Sequence, residues 1–135
     1  MKTLNIKADR KNLHRVLAFI DRELFNAGCR MKTKIQIDIA AEELFTNIAA
    51  YAYEDGPGDV YIDIDINGDP PSAVITFSDS GKPFDPFSNE DPDITLNAEE
   101  RSVGGLGVYM VKKTMDEVHY EYSDGMNHTT IRKMI

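Results

Sequence analysis

Residues 60–66 impose the strongest constraint on what this chain can become: Val60, Ile62, Ile64 and Ile66 alternate with Tyr61, Asp63 and Asp65. That two-residue period sends branched aliphatic side chains to one side of an extended strand and polar ones to the other. A strand of this kind needs neighbours to pair with and a layer of helices over its apolar side. Asn67-Gly68-Asp69-Pro70-Pro71 then turns the chain into a second strand, Ala73 to Ser78, so the two form a hairpin.

The covering layer is legible on either side of the hairpin. Asp9 suits the cap of a helix over 9–28, striped by Leu13, Val16, Leu17, Ile20, Leu24 and Phe25, and Gly28 suits its stop. Thr33 suits the cap of a second helix, in which Ile35, Ile39, Ala40, Phe45, Ile48, Ala49 and Ala52 recur at steps of three and four before Asp55-Gly56-Pro57-Gly58 ends it. Val108, Met110, Val111 and Met115 mark a third helix. Val118, Tyr120 and Tyr122, followed by Thr130 to Ile135, predict a closing antiparallel pair around Asp124-Gly125. Residues 80–103, rich in proline, acids and amides, read as one long irregular loop. The expected fold class is α/β in the α+β two-layer sense: one mixed, largely antiparallel sheet with about three helices on one face, forming one domain over residues 1–135.

Charge and thiol content narrow the function classes. With 23 acidic and 15 basic side chains, the formal charge of −8 repels phosphate backbones and anionic lipid heads, so neither nucleic acid nor a membrane surface is an expected partner. A nucleotide is still compatible, because a bound cation and local backbone N–H groups neutralise phosphate inside an acidic protein. Cys29 is the only cysteine, and no apolar run resembles a signal peptide or a membrane span, so a cytoplasmic setting is expected. His14, His119 and His128 have no metal-ligand spacing, and Ser80 and Ser102 lack a nucleophile-elbow setting.

Three clusters carry candidate chemistry. Glu43 and Asn47 lie four apart, on one face of the second helix. The carboxylate can accept a proton from an attacking hydroxyl, and the amide oxygen is a hard ligand for magnesium; the same pair also suits a plain solvated helix face. Asp79-Ser80-Gly81-Lys82-Pro83-Phe84-Asp85-Pro86 stands at a strand end. There a carboxylate can accept the exocyclic amino hydrogen of adenine while glycine lets backbone approach the base; an ordinary Asp/Ser/Gly turn fits as well. Arg101-Ser102-Val103-Gly104-Gly105-Leu106-Gly107-Val108 opens a helix on glycines. A phosphate cradle of backbone N–H groups explains that density of glycine better than a flexible connector does. There is no Gly-x-x-x-x-Gly-Lys-Ser/Thr run, and no strand directly precedes the glycines, which excludes the P-loop and Rossmann sites.

In order and spacing the three clusters resemble the N, G1 and G2 boxes of the gyrase, chaperone, histidine-kinase and mismatch-repair ATPase superfamily, whose nucleotide site is the Bergerat fold. Within it, Glu43-Leu44-Phe45-Thr46-Asn47, the segment from Asp79 to Pro86, Gly104 to Val111 and Met115-Asp116-Glu117-Val118 look like the bacterial anti-sigma factor serine/threonine kinases. The resemblance implies ATP and Mg2+ as cofactors, Glu43 as the catalytic base, and Asn47 as magnesium ligand. It implies Asp79 and Gly81 at the adenine, and Gly104, Gly105 and Gly107 at the phosphates. Arg101 would reach the terminal phosphate or the partner, and Thr129 would support Asp79. The implied partners are an anti-anti-sigma factor of the STAS type, as substrate, and a sigma factor; pairing of two copies through the sheet edge or the first helix stays open. The chain departs from the family pattern at His128, where glycine usually precedes the threonine, and at Pro83, where wider superfamily members carry a second glycine. A non-catalytic module that captures a partner in a nucleotide-dependent way is the alternative, and Glu43 is what separates the two.

Overall fold

The alternation in residues 60–66 becomes strand β2 (Asp59–Asn67), whose Val60, Ile62 and Ile64 are buried. The computed structural model describes residues 1–88 and 106–135. Around β2 stand β1 (Lys2–Lys7), β3 (Ser72–Asp79), β4 (Glu117–Ser123) and β5 (Met126–Met134), in the sheet order β1-β2-β3-β5-β4. Every pairing among the described residues is antiparallel, with no parallel pair to make the sheet mixed. Hairpins join β2 to β3 and β4 to β5, whereas the chain passes from β3 to β4 by a crossover that leaves β5 between them.

Among the described residues three α-helices complete the fold: α1 (Leu13–Asn26), α2 (Met31–Tyr51) and α3 (Leu106–Thr114). The core lies between α1 and α2 and the sheet face bearing Ile62, Ile64, Ile75, Phe77 and Ile131. Phe45 and Phe77, both fully buried, are its largest members. Each such side chain contributes roughly 1.5–3 kcal/mol by leaving water. The opposite face stays polar: Thr3 donates to Asp63 (2.6 Å), and Thr76 pairs with Thr130 (3.0 Å).

Two boundaries differ from expectation. Asp9 does cap, its carboxylate accepting from the Lys11 N–H (3.0 Å), but it caps a 3-10 turn over Arg10–Asn12 that leads into α1. Thr33 caps nothing: α2 starts at Met31, and Thr33 is a buried residue within its first turn. The cause is the tight reversal after α1. Gly28 takes a left-handed φ of 76°, its N–H bonds Phe25 (3.0 Å), and the Cys29 N–H reaches Leu24 (3.0 Å), the pairing of a Schellman stop. The chain is thereby returned early enough for a helix to begin at residue 31.

The apolar stripe of α2 is also rotated. Ile35 and Ile39 are exposed, and the buried positions are Thr33, Ile37, Ala40, Ala41, Leu44 and Phe45. Ile37 and Ile39 stand some 200° apart around the axis, so docking buries only one of them. Strand β1 has a single buried side chain near its end, Ile6, beside Lys2 and Lys7, a composition typical of an edge strand and too weak to announce itself. The β4–β5 turn falls where expected, with Asp124 and Gly125 both at positive φ (54° and 75°), as a two-residue hairpin turn of the primed type requires.

Candidate functional site

Because α2 runs for 21 residues across the inner face of the sheet, it carries its polar side chains past the end of β3. Asn47, Ile48 and Tyr51 from α2, Ala52 at its C-terminal cap, Asp79 from β3, Lys82, Phe84 and Pro86 from the following segment, and Asn127 and Thr129 from β5 line one cavity. Its walls are mainly apolar with a few convergent polar groups, the usual makeup of a small-molecule site.

Asp79 ends β3 and is buried at 3% exposure. Its Oδ1 accepts from the Gly81 N–H (2.9 Å) and from Asn127 Nδ2 (3.0 Å). Asn127 stands directly opposite it on β5, whereas Thr129 pairs with Phe77. The resemblance gives Thr129 the support of Asp79; the side-chain hydrogen bond that Asp79 receives from β5 is that of Asn127, and Thr129 lines the cavity beside it. Asn127 escaped the sequence reading because a lone asparagine after a turn carries no spacing signal; its position opposite Asp79 becomes visible only once the β3–β5 register is known.

The segment after Asp79 is tied down at several points. The Tyr53 hydroxyl donates to the Asp59 carbonyl (2.6 Å) and accepts from the Ser80 N–H (2.8 Å). The Lys82 N–H bonds the Ala52 carbonyl (3.2 Å), and the Phe84 N–H reaches both Asn127 Oδ1 (3.1 Å) and the Tyr120 hydroxyl (3.2 Å). Burial pushes the Tyr53 and Tyr120 phenols above the ordinary tyrosine range, which keeps both as O–H donors. Gly81 packs on the end of α2: a methyl group in place of its α-hydrogen would overlap the Ala52 carbonyl oxygen. Glycine here answers to a close backbone approach.

Glu43 and Asn47 share one face of α2, and Asn47 Nδ2 donates to Glu43 Oε1 (3.2 Å). The opening turn of α3 lies over this pair, because a Cβ added to Gly107 would meet the Glu43 carboxyl group. The candidate residues therefore follow one line: Asp79, Gly81 and Thr129 at one end, Asn47 in the middle, Glu43 and Gly107 at the other. With its Nδ2 turned to Glu43, Asn47 keeps its amide oxygen for another partner. A single protein oxygen beside phosphate oxygens and water matches the way magnesium is commonly held, so the donor set fits that ion. Arg101, Gly104 and Gly105 lie outside the described residues. Among the described residues no helix is long and apolar enough to cross a membrane.

Comparison with known proteins identifies the family. The family described as histidine kinase-like ATPase domain matches residues 6–133. The serine/threonine-protein kinase BtrW of Bordetella bronchiseptica is 24% identical over 74% of this chain and 70% of its own length. The serine-protein kinase RsbW of Listeria monocytogenes is 26% identical over 75% of the chain and 66% of its own length. RsbW of Bacillus subtilis is 31% identical over 67% of the chain and 58% of its own length.

Proposed function

We propose that this chain, which belongs to the histidine kinase-like ATPase domain family, is an ATP-dependent serine/threonine protein kinase. The observation that carries the proposal is the line of side chains from the end of β3 along α2: the buried Asp79 carboxylate in the cavity, Asn47 in its wall, and Glu43 hydrogen-bonded to Asn47 under the first turn of α3. In this reading Asp79 and Gly81 hold adenine, and Thr129 lines the same subsite. Gly104, Gly105, Gly107 and Arg101 serve the phosphates. Asn47 holds Mg2+, which when bound draws charge from the phosphate oxygens. Glu43 takes the proton of a serine or threonine hydroxyl as its oxygen attacks the terminal phosphorus and ADP departs. The names of the relatives support a protein substrate. An anti-anti-sigma factor of the STAS type as that substrate, a sigma factor as a second ligand, and work in the cytoplasm belong to the same proposal.

The test is transfer of labelled phosphate from ATP to a candidate partner by the wild type and by Glu43→Gln. The variant should bind ATP as the wild type does and transfer at least about a hundredfold more slowly, as expected for loss of a general base. Transfer at the normal rate would remove Glu43 from that role. One observation favours the alternative, a nucleotide-gated binding module without catalysis: the Glu43 carboxylate is already engaged by Asn47 and covered by Gly107. In that case the wild type would bind ATP and transfer nothing.

A further inference from the structure

We propose that Asn127 is the positioning residue that decides which purine the cavity accepts, by making Asp79 meet the base as a hydrogen-bond acceptor. The inference rests on the ATP-binding reading above, and it names a determinant outside the three motifs.

The two ends of the Asn127 amide face opposite chemistry. Its Nδ2 is turned to three oxygens: Asp79 Oδ1 (3.0 Å), the Lys82 carbonyl (3.0 Å) and the Gly81 carbonyl (3.4 Å). Its Oδ1 is turned to two donors, the Phe84 N–H (3.1 Å) and the Tyr120 hydroxyl. A flipped amide would set oxygen against three oxygens and NH2 against two donors, so the surroundings enforce one orientation. Burial of the Tyr120 phenol keeps its proton in place and holds that orientation across ordinary pH.

This orientation dictates how Asp79 meets the base. Asp79 Oδ1 receives an amide N–H2 and the Gly81 N–H, so the carboxylate stands in the site as an acceptor. Its other oxygen takes part in neither bond and belongs to a residue lining the cavity. An acceptor Oδ2 attracts the exocyclic amino group of a 6-aminopurine and repels the carbonyl of a 6-oxopurine. An amide oxygen facing Asp79 would set acceptor against acceptor and would not hold the carboxylate in that role. Selectivity for adenine over hypoxanthine or guanine is thus set by a β5 side chain, which Tyr120 of β4 keeps from turning.

The test measures dissociation constants of the full-length protein for ATP, ITP and GTP, each with magnesium, for wild type, Asn127→Asp and Tyr120→Phe. Asn127→Asp sets a second carboxylate against Asp79 in nearly the same volume. At pH 8 its ATP affinity should fall roughly 10- to 100-fold, the cost of a charge-assisted hydrogen bond turned repulsive. Lowering the pH to 6 should restore much of the loss, because one of two adjacent carboxyls takes up a proton and becomes a donor again; the wild type should show no such recovery. In Tyr120→Phe, with one of the two donors gone, the ratio of ATP to ITP affinity should fall about threefold or more. A folded Asn127→Asp protein that binds ATP like the wild type at pH 8 overturns the proposal. If that variant does not fold, an unchanged ATP-to-ITP ratio in Tyr120→Phe overturns it. A wild type that binds none of the three nucleotides refutes the ATP-binding reading itself, whereas wild-type binding with no preference for ATP over ITP refutes only the role of Asn127.

Discussion

Replacing Gly81 with alanine places a methyl group where no space exists. The added carbon would lie 2.7 Å from the Ala52 side chain and 2.8 Å from its carbonyl carbon, and closer still to the carbonyl oxygen. Two of these neighbours are backbone at the end of α2, which cannot swing aside as a long side chain can. The turn after β3 must therefore move outward. Doing so stretches the 3.2 Å bond from the Lys82 N–H to the Ala52 carbonyl. It also strains the Asn127 contacts to the Gly81 and Lys82 carbonyls. Overpacking costs about 1–3 kcal/mol and one lost hydrogen bond about 1 kcal/mol, so about 2–4 kcal/mol is expected. An unfolding entropy of about 2.1 cal/mol/K per residue, taken over 135 residues, converts this to a fall in Tm of about 7–14 °C. ATP affinity should drop about tenfold as well, because the Gly81 N–H leaves Asp79. Thermal unfolding followed by circular dichroism, with and without ATP, measures both. A Tm within about 2 °C of the wild type would show that the turn yields freely and would refute the packing reasoning.

The other glycine contact should behave differently. Gly107→Ala meets the far end of the Glu43 side chain, which can shift where the Ala52 backbone cannot, so stability should change by about 1 kcal/mol or less while phosphate transfer falls at least tenfold; paired melting and transfer assays would detect the opposite pattern. A third prediction concerns pH. Asp38 of α2 shares Lys34 with Asp21 of α1, at 3.0 and 3.3 Å, and the Oδ1 atoms of both carboxyls are buried without a hydrogen-bond partner. Burial, and then the Asp21 carboxyl, push Asp38 from 3.8 up to about 7, against the pull of Lys34. A carboxyl whose folded pKa is raised loses its proton more readily when unfolded, so its contribution to stability is greatest below pH 4, declines up to about pH 7, and is flat above that. Asp38→Asn supplies a neutral donor for Asp21 and should be more stable than the wild type at pH 8 by about 1 kcal/mol, with the advantage vanishing near pH 4. Parallel pH–stability curves for the two proteins would contradict this assignment.

Much of the architecture was legible because burial leaves a periodic trace. The alternation at 60–66 predicts a one-sided strand and hence a covering layer, and the Asp124-Gly125 pair predicts the last hairpin. The start of α2 was not legible, since Thr33 has the chemistry of a cap and only the Schellman reversal through Gly28 shows that the helix begins earlier. The same limit hid which isoleucines face inward. Ile35, Ile37 and Ile39 are equally apolar, and docking on the sheet selects Ile37.

The candidate site divides in a similar way. The chemistry of Glu43, Asn47 and Asp79, and the helical spacing that puts the first two on one face, were determined by residue type and order, because helix geometry is local. What meets across the sheet was decided by register alone. The β3–β5 pairing sets Asn127 opposite Asp79, and the seating of α3 on α2 puts Gly107 against Glu43. These partners are separated by 48 and 64 residues along the chain, too far for any local pattern to link them. Only the folded sheet brings an unremarked asparagine to the carboxylate it orients.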